Sequence, residues 1–386
     1  MATTRVTKIG YGKKLTSSFG GIITGLLALV IGITVLWWNE GNSVRDIKKL
    51  KEGRGAIVEV DAKKVLTAND RSLVHVSGMV TTSDTLRDIE FGVSVNALIL
   101  NKEVEMFQNK ENVKRDEKEN LGGSTTVTET FTYEQVWSSG LINSDSFQES
   151  GRNNPRAFNN KSGQILASNA NLGAFELDER VIEQFYGESD VTIHVDSVSN
   201  FKVFDGFVYL GEDPKNPKIG DERIKFSAVM PQNFSIVAEQ RGNTFAPYKT
   251  KVGKNIFMVN RGLLTADEMF DQAESASKIF RWALRIGGFF LLFIGFSLIF
   301  KPLSTILAFI PFLKNIVGFA TGLVAFVLAA SISLIVIAIA WLFYRPILAV
   351  ALLAIAGGLF YFLRKRGQEK KLQNSEKSIA TQTGQN

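Results

Sequence analysis

Residues 19–38, FGGIITGLLALVIGITVLWW, run for twenty positions without a charge. At about 1.5 Å rise per residue, a helix of that length spans the roughly 30 Å hydrocarbon core of a bilayer, so the chain is expected to begin with a transmembrane helix. A cleaved signal peptide has a shorter apolar region and ends in small residues. This run ends instead in Trp37 and Trp38, side chains suited to the water interface, and reads as an uncleaved anchor. Three more apolar runs lie near the other end, at 286–300, 316–344 and 347–363. Lys301-Pro302 interrupts the first of these, and the piece that follows, 303–313, is too short to cross; it fits an interfacial or re-entrant segment or an ordinary loop. Arg345-Pro346 reads as the turn of a helical hairpin, because proline disfavours helix at the residue before it.

Charge gives an orientation. Arg5, Lys8, Lys13 and Lys14 precede the first run with no acid among residues 1–18, and Arg364, Lys365, Arg366, Lys370 and Lys371 follow the last. Under the positive-inside rule both ends are cytoplasmic, which requires an even number of crossings, so 279–300 must cross as well. Lys278, Arg281 and Arg285 then stand on the outer side, against the rule, although long translocated loops obey it poorly. Residues 39–280 hold 29 Lys and Arg against 36 Asp and Glu, so the net positive charge sits in the flanks of the apolar runs. A nucleic-acid-binding domain would concentrate it on one folded face, and no nucleic-acid partner is expected.

The segment between the first and second crossings is long enough for a domain of its own. Alternation and β-branched enrichment predict strands at 72–82, 93–107 and 125–137, with shorter ones at 191–195, 207–210 and 223–230. A hairpin is expected to pair 234–240 with 244–248. The charged stretch 110–120 and the Asn/Ser-rich 140–163 read as exposed loops. An amphipathic helix is expected over 177–186. Thr265-Ala266-Asp267-Glu268 is a capping box, and the apolar pattern after it runs without a breaker into the second membrane run, which predicts one continuous helix.

Few residues suit catalysis. The chain has no cysteine and two histidines, which excludes disulfides, thiolate nucleophiles and cysteine-ligated metals. His75 and His194 lie in strand-like surroundings and read as hydrogen-bonded strand histidines; Asp196 shares a strand face with His194, but no nucleophile motif accompanies the pair. Asp213, Asp221 and Glu222 match no EF-hand spacing. Gly10-Tyr11-Gly12-Lys13-Lys14 fails the P-loop pattern, which needs a glycine where Thr7 stands and a Ser or Thr where Lys14 stands. None of the four apolar runs contains a charged residue or a histidine, unlike most transporters and many channels. No catalytic, cofactor-binding or metal-binding residue is therefore assigned. Small residues at Gly21, Gly25, Gly318, Gly322 and Ser331 are expected at helix contacts, within one chain or between chains. Trp37, Trp38, Trp341, Tyr344 and Arg345 are expected as anchors at the membrane interfaces.

A series of short motifs carries a family resemblance. Asn39-Glu40-Gly41 follows the first membrane run; LVHVSG stands at 73–78, VEMFQ at 104–108, Trp137 before INS at 142–144 and Phe147, and Asn154-Pro155 after them. Gly220-Asp221 with Arg223, Phe226-Ser227, Arg241-Gly242 with Pro247, and WLFYRP at 341–346 complete the order. The chain resembles the LUMA, or transmembrane protein 43, family over nearly its whole length. The resemblance implies a four-pass, non-enzymatic protein that self-associates, with a large lumenal or extracytoplasmic domain between helices one and two. In animals it implies the endoplasmic reticulum and inner nuclear membrane; no lamina-binding segment is visible here, and no catalytic residue is carried over.

The expected architecture is an α+β membrane protein. It comprises a basic cytoplasmic arm (1–18), a first transmembrane helix (19–38), a β-rich extracytoplasmic or lumenal domain (39–278), a second helix (279–300), a connection (301–315), helices at 316–344 and 346–363, and a basic cytoplasmic tail (364–386). The expected function is a multi-pass scaffold, without cofactor, that forms homo-oligomers in the lipid bilayer and organises membrane proteins or lipids. It would occupy the inner membrane in a bacterium, or the endoplasmic reticulum or inner nuclear membrane in a eukaryote. A membrane-tethered hydrolase using an acidic or a His194/Asp196 site in the extracytoplasmic domain is the alternative, and a carbonyl-lined channel a third.

Overall fold

The computed structural model describes residues 3–120, 122–192, 201–306 and 311–346. The described residues form two units, one β-rich, within 3–14 and 46–277, and one helical, within 15–45, 278–306 and 312–346.

Among the described residues two large sheets, one of eight strands and one of seven, build the β-rich unit, with two small two-stranded sheets beside them. The first is organised by a long hairpin of Ile99–Glu119 and Thr125–Ser138, joined in fourteen registered pairs from Met106↔Ser138 to Glu119↔Thr125. Gly122 and Gly123 at its turn both have positive φ, which glycine adopts without steric cost. Glu222–Val229 lies on the 99–106 half of the hairpin, and Phe207–Leu210 lies beyond it. The second sheet centres on Leu73–Thr82 and Asn233–Arg241, paired from Asn233↔Met79 to Glu239↔Leu73. Val74, Val76, Phe234 and Ile236 of this sheet share one core with Leu98, Leu100, Ile224 and Phe226 of the first, each almost fully shielded from solvent. This is the two-layer solution by which each sheet buries one apolar face against the other.

The expected hairpin at 234–248 is present, with Arg241↔Thr244 closing a two-residue turn of Gly242 and Asn243. Other expectations are corrected. Residues 110–119 are strand and not loop. Their charges mark a strand with no core to cover, held by cross-strand pairs: Lys110 with Glu134 at 3.0 Å, and the Tyr133 hydroxyl donating to Glu111 at 2.5 Å. The expected strand 93–107 is split, Val93–Asn96 forming a separate small hairpin with Thr85–Asp88. The expected arm is structured too: Thr3–Ile9 is the edge strand of the first sheet, paired from Thr3↔Phe131 to Ile9↔Thr125.

Helix α1, Tyr11–Ala56, runs unbroken through the first apolar segment and past it. Its last turns belong to the β-rich unit, where Leu50 joins a small core with Val237, Ile256, Met269 and Phe270. The helix expected over 177–186 shrinks to one turn, α2 (Glu179–Ile182), capped by Asp178 accepting from the Val181 amide. Helix α3, Ala266–Ile306, starts at the expected capping box, with the Thr265 amide donating to Glu268 at 2.8 Å and the Glu268 amide to the Thr265 hydroxyl at 3.3 Å. It continues without interruption into the second apolar run. The interruption expected at Lys301-Pro302 does not occur; α3 carries Pro302 in its last turns, where the Thr305 hydroxyl bonds the Lys301 carbonyl at 2.9 Å. Helix α4 is Pro311–Tyr344. Three helices among the described residues are long and apolar enough to cross a membrane: Tyr11–Ala56, Ala266–Ile306 and Ile316–Tyr344. The fourth expected crossing, 346–363, and the tail lie outside the described residues, save Pro346.

Candidate functional site

The helical unit is assembled on glycines. A Cβ built on Gly25 would lie 2.7 Å from the Gly295 carbonyl oxygen, and one built on Gly295 would lie 2.9 Å from that of Gly25. Seven residues along each helix the contact repeats, with Gly32 and Gly288 replacing them: a Cβ on Gly32 would sit 3.2 Å from the Gly288 carbonyl. A seven-residue repeat keeps one face of each antiparallel helix turned toward the other over successive turns, and small residues there let the backbones touch. Leu36, fully buried, packs over Gly288, and Leu292, Ala329 and Val336 complete the core with α4.

The same face of α1 continues one turn beyond Leu36 to Glu40, so the seam that buries leucine also buries a carboxylate. Glu40 is 1% exposed. Its Oε1 accepts from Arg285 Nε at 2.7 Å and its Oε2 from Trp341 Nε1 at 2.9 Å, so one side chain ties α1 to both α3 and α4. Its neighbours are used as fully. Asn39 Nδ2 donates to the Arg281 carbonyl at 3.2 Å, and a Cβ on Gly41 would lie 2.6 Å from the Tyr344 ring. Ser43 Oγ accepts from Arg345 at 3.3 Å, and the Arg285 guanidinium lies over the Trp282 ring at 4.9 Å. Burying an ion is costly unless its partners satisfy it, and here both carboxylate oxygens are bonded. At the other end of α1 and α3, Ser18 and Thr305 join their hydroxyls at 2.9 Å, both buried.

The expected packing and anchor residues distribute unevenly around this node. Gly25 is in the seam; Gly21 lies beside it, where a Cβ would stand 3.8 Å from Leu298. A Cβ at Gly318 or Gly322 would meet nothing within 4 Å among the described residues, and Ser331 is exposed. Trp37 packs edge-on against Phe343 and Tyr344 at 5.2 and 5.8 Å, while Trp38 is 48% exposed. Trp341 and Arg345 act as node residues. Sequence reasoning missed Glu40, Arg285, Gly32, Gly288 and Gly295. The available signal was the seven-residue glycine spacing on two separate runs, together with an acid one turn past the first.

Catalytic readings fare differently. His194 and Asp196 lie outside the described residues. His75 is buried and bonded to Glu59 at 2.5 Å through Nδ1 and to the Ser77 hydroxyl at 3.0 Å through Nε2. That order of groups resembles a nucleophile, base and orienting acid. The Ser77 hydroxyl, however, is also within 2.7 Å of Ser235 Oγ and donates to the Leu264 carbonyl at 3.0 Å, which makes it a structural tie. Asp213 accepts from the Lys215 amide and Asn216, and Glu222 from the Asn159 and Asn160 amides, so these acids are spent on turns. No group of three metal-ligating side chains occurs among the described residues.

Comparison with known proteins decides the kinship. The family model described as Transmembrane protein 43 matches residues 106–346, more than half the chain. The chain belongs to the Transmembrane protein 43 family. Transmembrane protein 43 of Homo sapiens is 29% identical over 382 residues, covering 94% of each chain, and that of Pongo abelii is 29% identical over 383 residues with the same coverage. The Transmembrane protein 43 homolog of Drosophila melanogaster is 29% identical over 354 residues, 88% of this chain and 93% of its own. No solved structure matches. The family match and the three long apolar helices make this an integral membrane protein, and Transmembrane protein 43 is not the name of an enzyme family. The match includes α3 and α4 with Arg285, Trp341 and Arg345.

Proposed function

We propose that this protein is a non-enzymatic, multi-pass membrane scaffold that self-associates and organises other membrane proteins or lipids. The observation that carries this reading is the use made of polar groups in the helical unit: Glu40, Arg285 and Trp341 bind helices to one another. Transport chemistry needs charged groups that change partners along a path, whereas a carboxylate with both oxygens engaged and shielded from solvent supports a fixed frame. Gly318, Gly322 and Ser331 provide the face on which a second copy packs, because close approach is open to a glycine face. The flanking charge supports both termini on the cytoplasmic side. The compartment follows the host, with endoplasmic reticulum and inner nuclear membrane for a eukaryote and the inner membrane for a bacterium. Chemical cross-linking in native membranes, followed by size analysis of the full chain, is expected to trap dimers or larger species at low expression. Monomers alone at every expression level would overturn the proposal.

A further inference from the structure

A groove opens on the helical unit between α3 and α4. Trp282 and Phe289 on one side and Ser333, Ile337 and Trp341 on the other line it, with Arg285 at one end, and it holds about 450 Å³. Trp282, Ile286 and Leu334 along it are each more than half exposed, so the groove faces the surroundings of the helices, which in a membrane protein are lipid tails.

Two features distinguish it from an ordinary gap between helices. The first is an orphaned hydroxyl. Ser333 is 6% exposed and lines the groove, yet its Oγ has no hydrogen-bond partner among the described residues. A serine within an apolar helix ordinarily bonds a carbonyl one turn back. The second is surplus charge. Arg345 lies within electrostatic reach of Arg281, Arg285 and one carboxylate, Glu40, which is itself bonded to Arg285. Arg285 uses only its Nε on Glu40, and Arg281 Nε is buried without a partner among the described residues. Three cations thus share one carboxylate beside the end of the groove, where Arg285 lines it and the Arg345 guanidinium lies over the lining Trp341 ring at 5.9 Å.

The geometry points to a binding site for one anionic glycerophospholipid, its phosphate on the surplus arginine charge and an acyl chain in the groove. Ser333 supplies a donor within the groove. Basic pockets between membrane helices are suited to such headgroups. A sterol or a zwitterionic lipid brings no net charge and leaves the cations uncompensated. A helix of a second copy or the fourth run serves no better, because none of the four apolar runs contains an acid. The inference deepens the scaffold reading by naming a lipid, and rests on it only in requiring the helices to be in a membrane.

Trp282 and Trp341 line the groove and report on it directly. The full chain is reconstituted in phosphatidylcholine vesicles, and dibrominated phosphatidylglycerol or dibrominated phosphatidylcholine is titrated in as a quencher of tryptophan fluorescence. Brominated phosphatidylglycerol is expected to quench with about fivefold higher apparent affinity, the factor for one basic residue near an anionic headgroup. Ser333→Leu, which fills the groove, is expected to abolish that preference, and Trp282→Phe to remove part of the selective quenching. Equal quenching by both lipids in the unsubstituted chain overturns the inference, whatever the variants do. So does a preference that survives Ser333→Leu undiminished. Oligomer size measured on the same vesicles separates failure of the lipid site from failure of self-association.

Discussion

At the scale of single residues, Glu40 carries the sharpest prediction. Breaking a buried ion pair by removing one partner leaves the other charge uncompensated, and Arg285 is 15% exposed at its side chain. Glu40→Gln is expected to lower stability by about 3 kcal/mol in detergent-solubilised protein, followed by thermal unfolding. Adding Arg285→Gln is expected to recover part of the loss, since no orphaned charge then remains; a double variant weaker than the single one would show that the pair does not act as a pair. Tyr209 makes a different prediction. Its hydroxyl donates to Asp221, and burial, then the Asp221 hydrogen bond and charge, push its pKa well above the ordinary value of about 10. The fold therefore favours the neutral phenol, so this contribution is full below pH 10 and is lost as pH rises beyond it, when the unfolded phenol ionises first. Tyr209→Phe is expected to cost about 1–2 kcal/mol at neutral pH and to show a shallower loss of stability above pH 10. Denaturant titrations at pH 8 and pH 11 check both. Neither residue was legible as a site in the sequence: Glu40 lay outside the uncharged run, in the Asn39-Glu40-Gly41 motif, and was assigned to the β-rich domain. A tyrosine buried beside an acid 12 positions away has no local signal.

At the scale of elements, legibility followed locality. The capping box at Thr265 and the two-residue turn after Arg241 are complete within a few residues, and both stand where the sequence placed them. Helix pairing is not local, and two GxxxG matches on separate runs gave unequal results. Gly25 found its partner in Gly295, but the register is set by the seven-residue spacings from Gly25 to Gly32 and from Gly288 to Gly295, which no single window displays. Gly25→Leu is expected to force α1 and α3 apart, because even its Cβ falls 2.7 Å from a carbonyl, and to cost about 1–3 kcal/mol measured by thermal unfolding. Gly318→Leu with Gly322→Leu meets no obstacle in the three described helices. That pair is expected to shift oligomer size on a sizing column while leaving the melting temperature of the bundle near that of the unsubstituted chain; unchanged size would remove this face from the scaffold proposal.

At the scale of the whole molecule, the question is how residues 1–14 come to share a unit with 46–277 when the stretch between them is one helix. Strand pairing does it: Thr3–Ile9 lies antiparallel on the second strand of the long hairpin, in seven registered pairs from Thr3↔Phe131 to Ile9↔Thr125. The sequence hid this because the partner of Thr3–Ile9 lies more than a hundred residues away, and a seven-residue basic strand looks the same as a flexible arm. The absence of cysteine makes the test clean. Val6 and Thr128 are registered partners, so their Cα atoms are within disulfide reach, and Val6→Cys with Thr128→Cys is expected to oxidise to an intramolecular cross-link in intact membranes. A mismatched control, Val6→Cys with Ser83→Cys, is expected to stay reduced. If the matched pair also stays reduced in membranes but oxidises in detergent, the strand leaves the sheet when lipid surrounds α1, and the edge of Thr125–Ser138 is then free to pair with another chain.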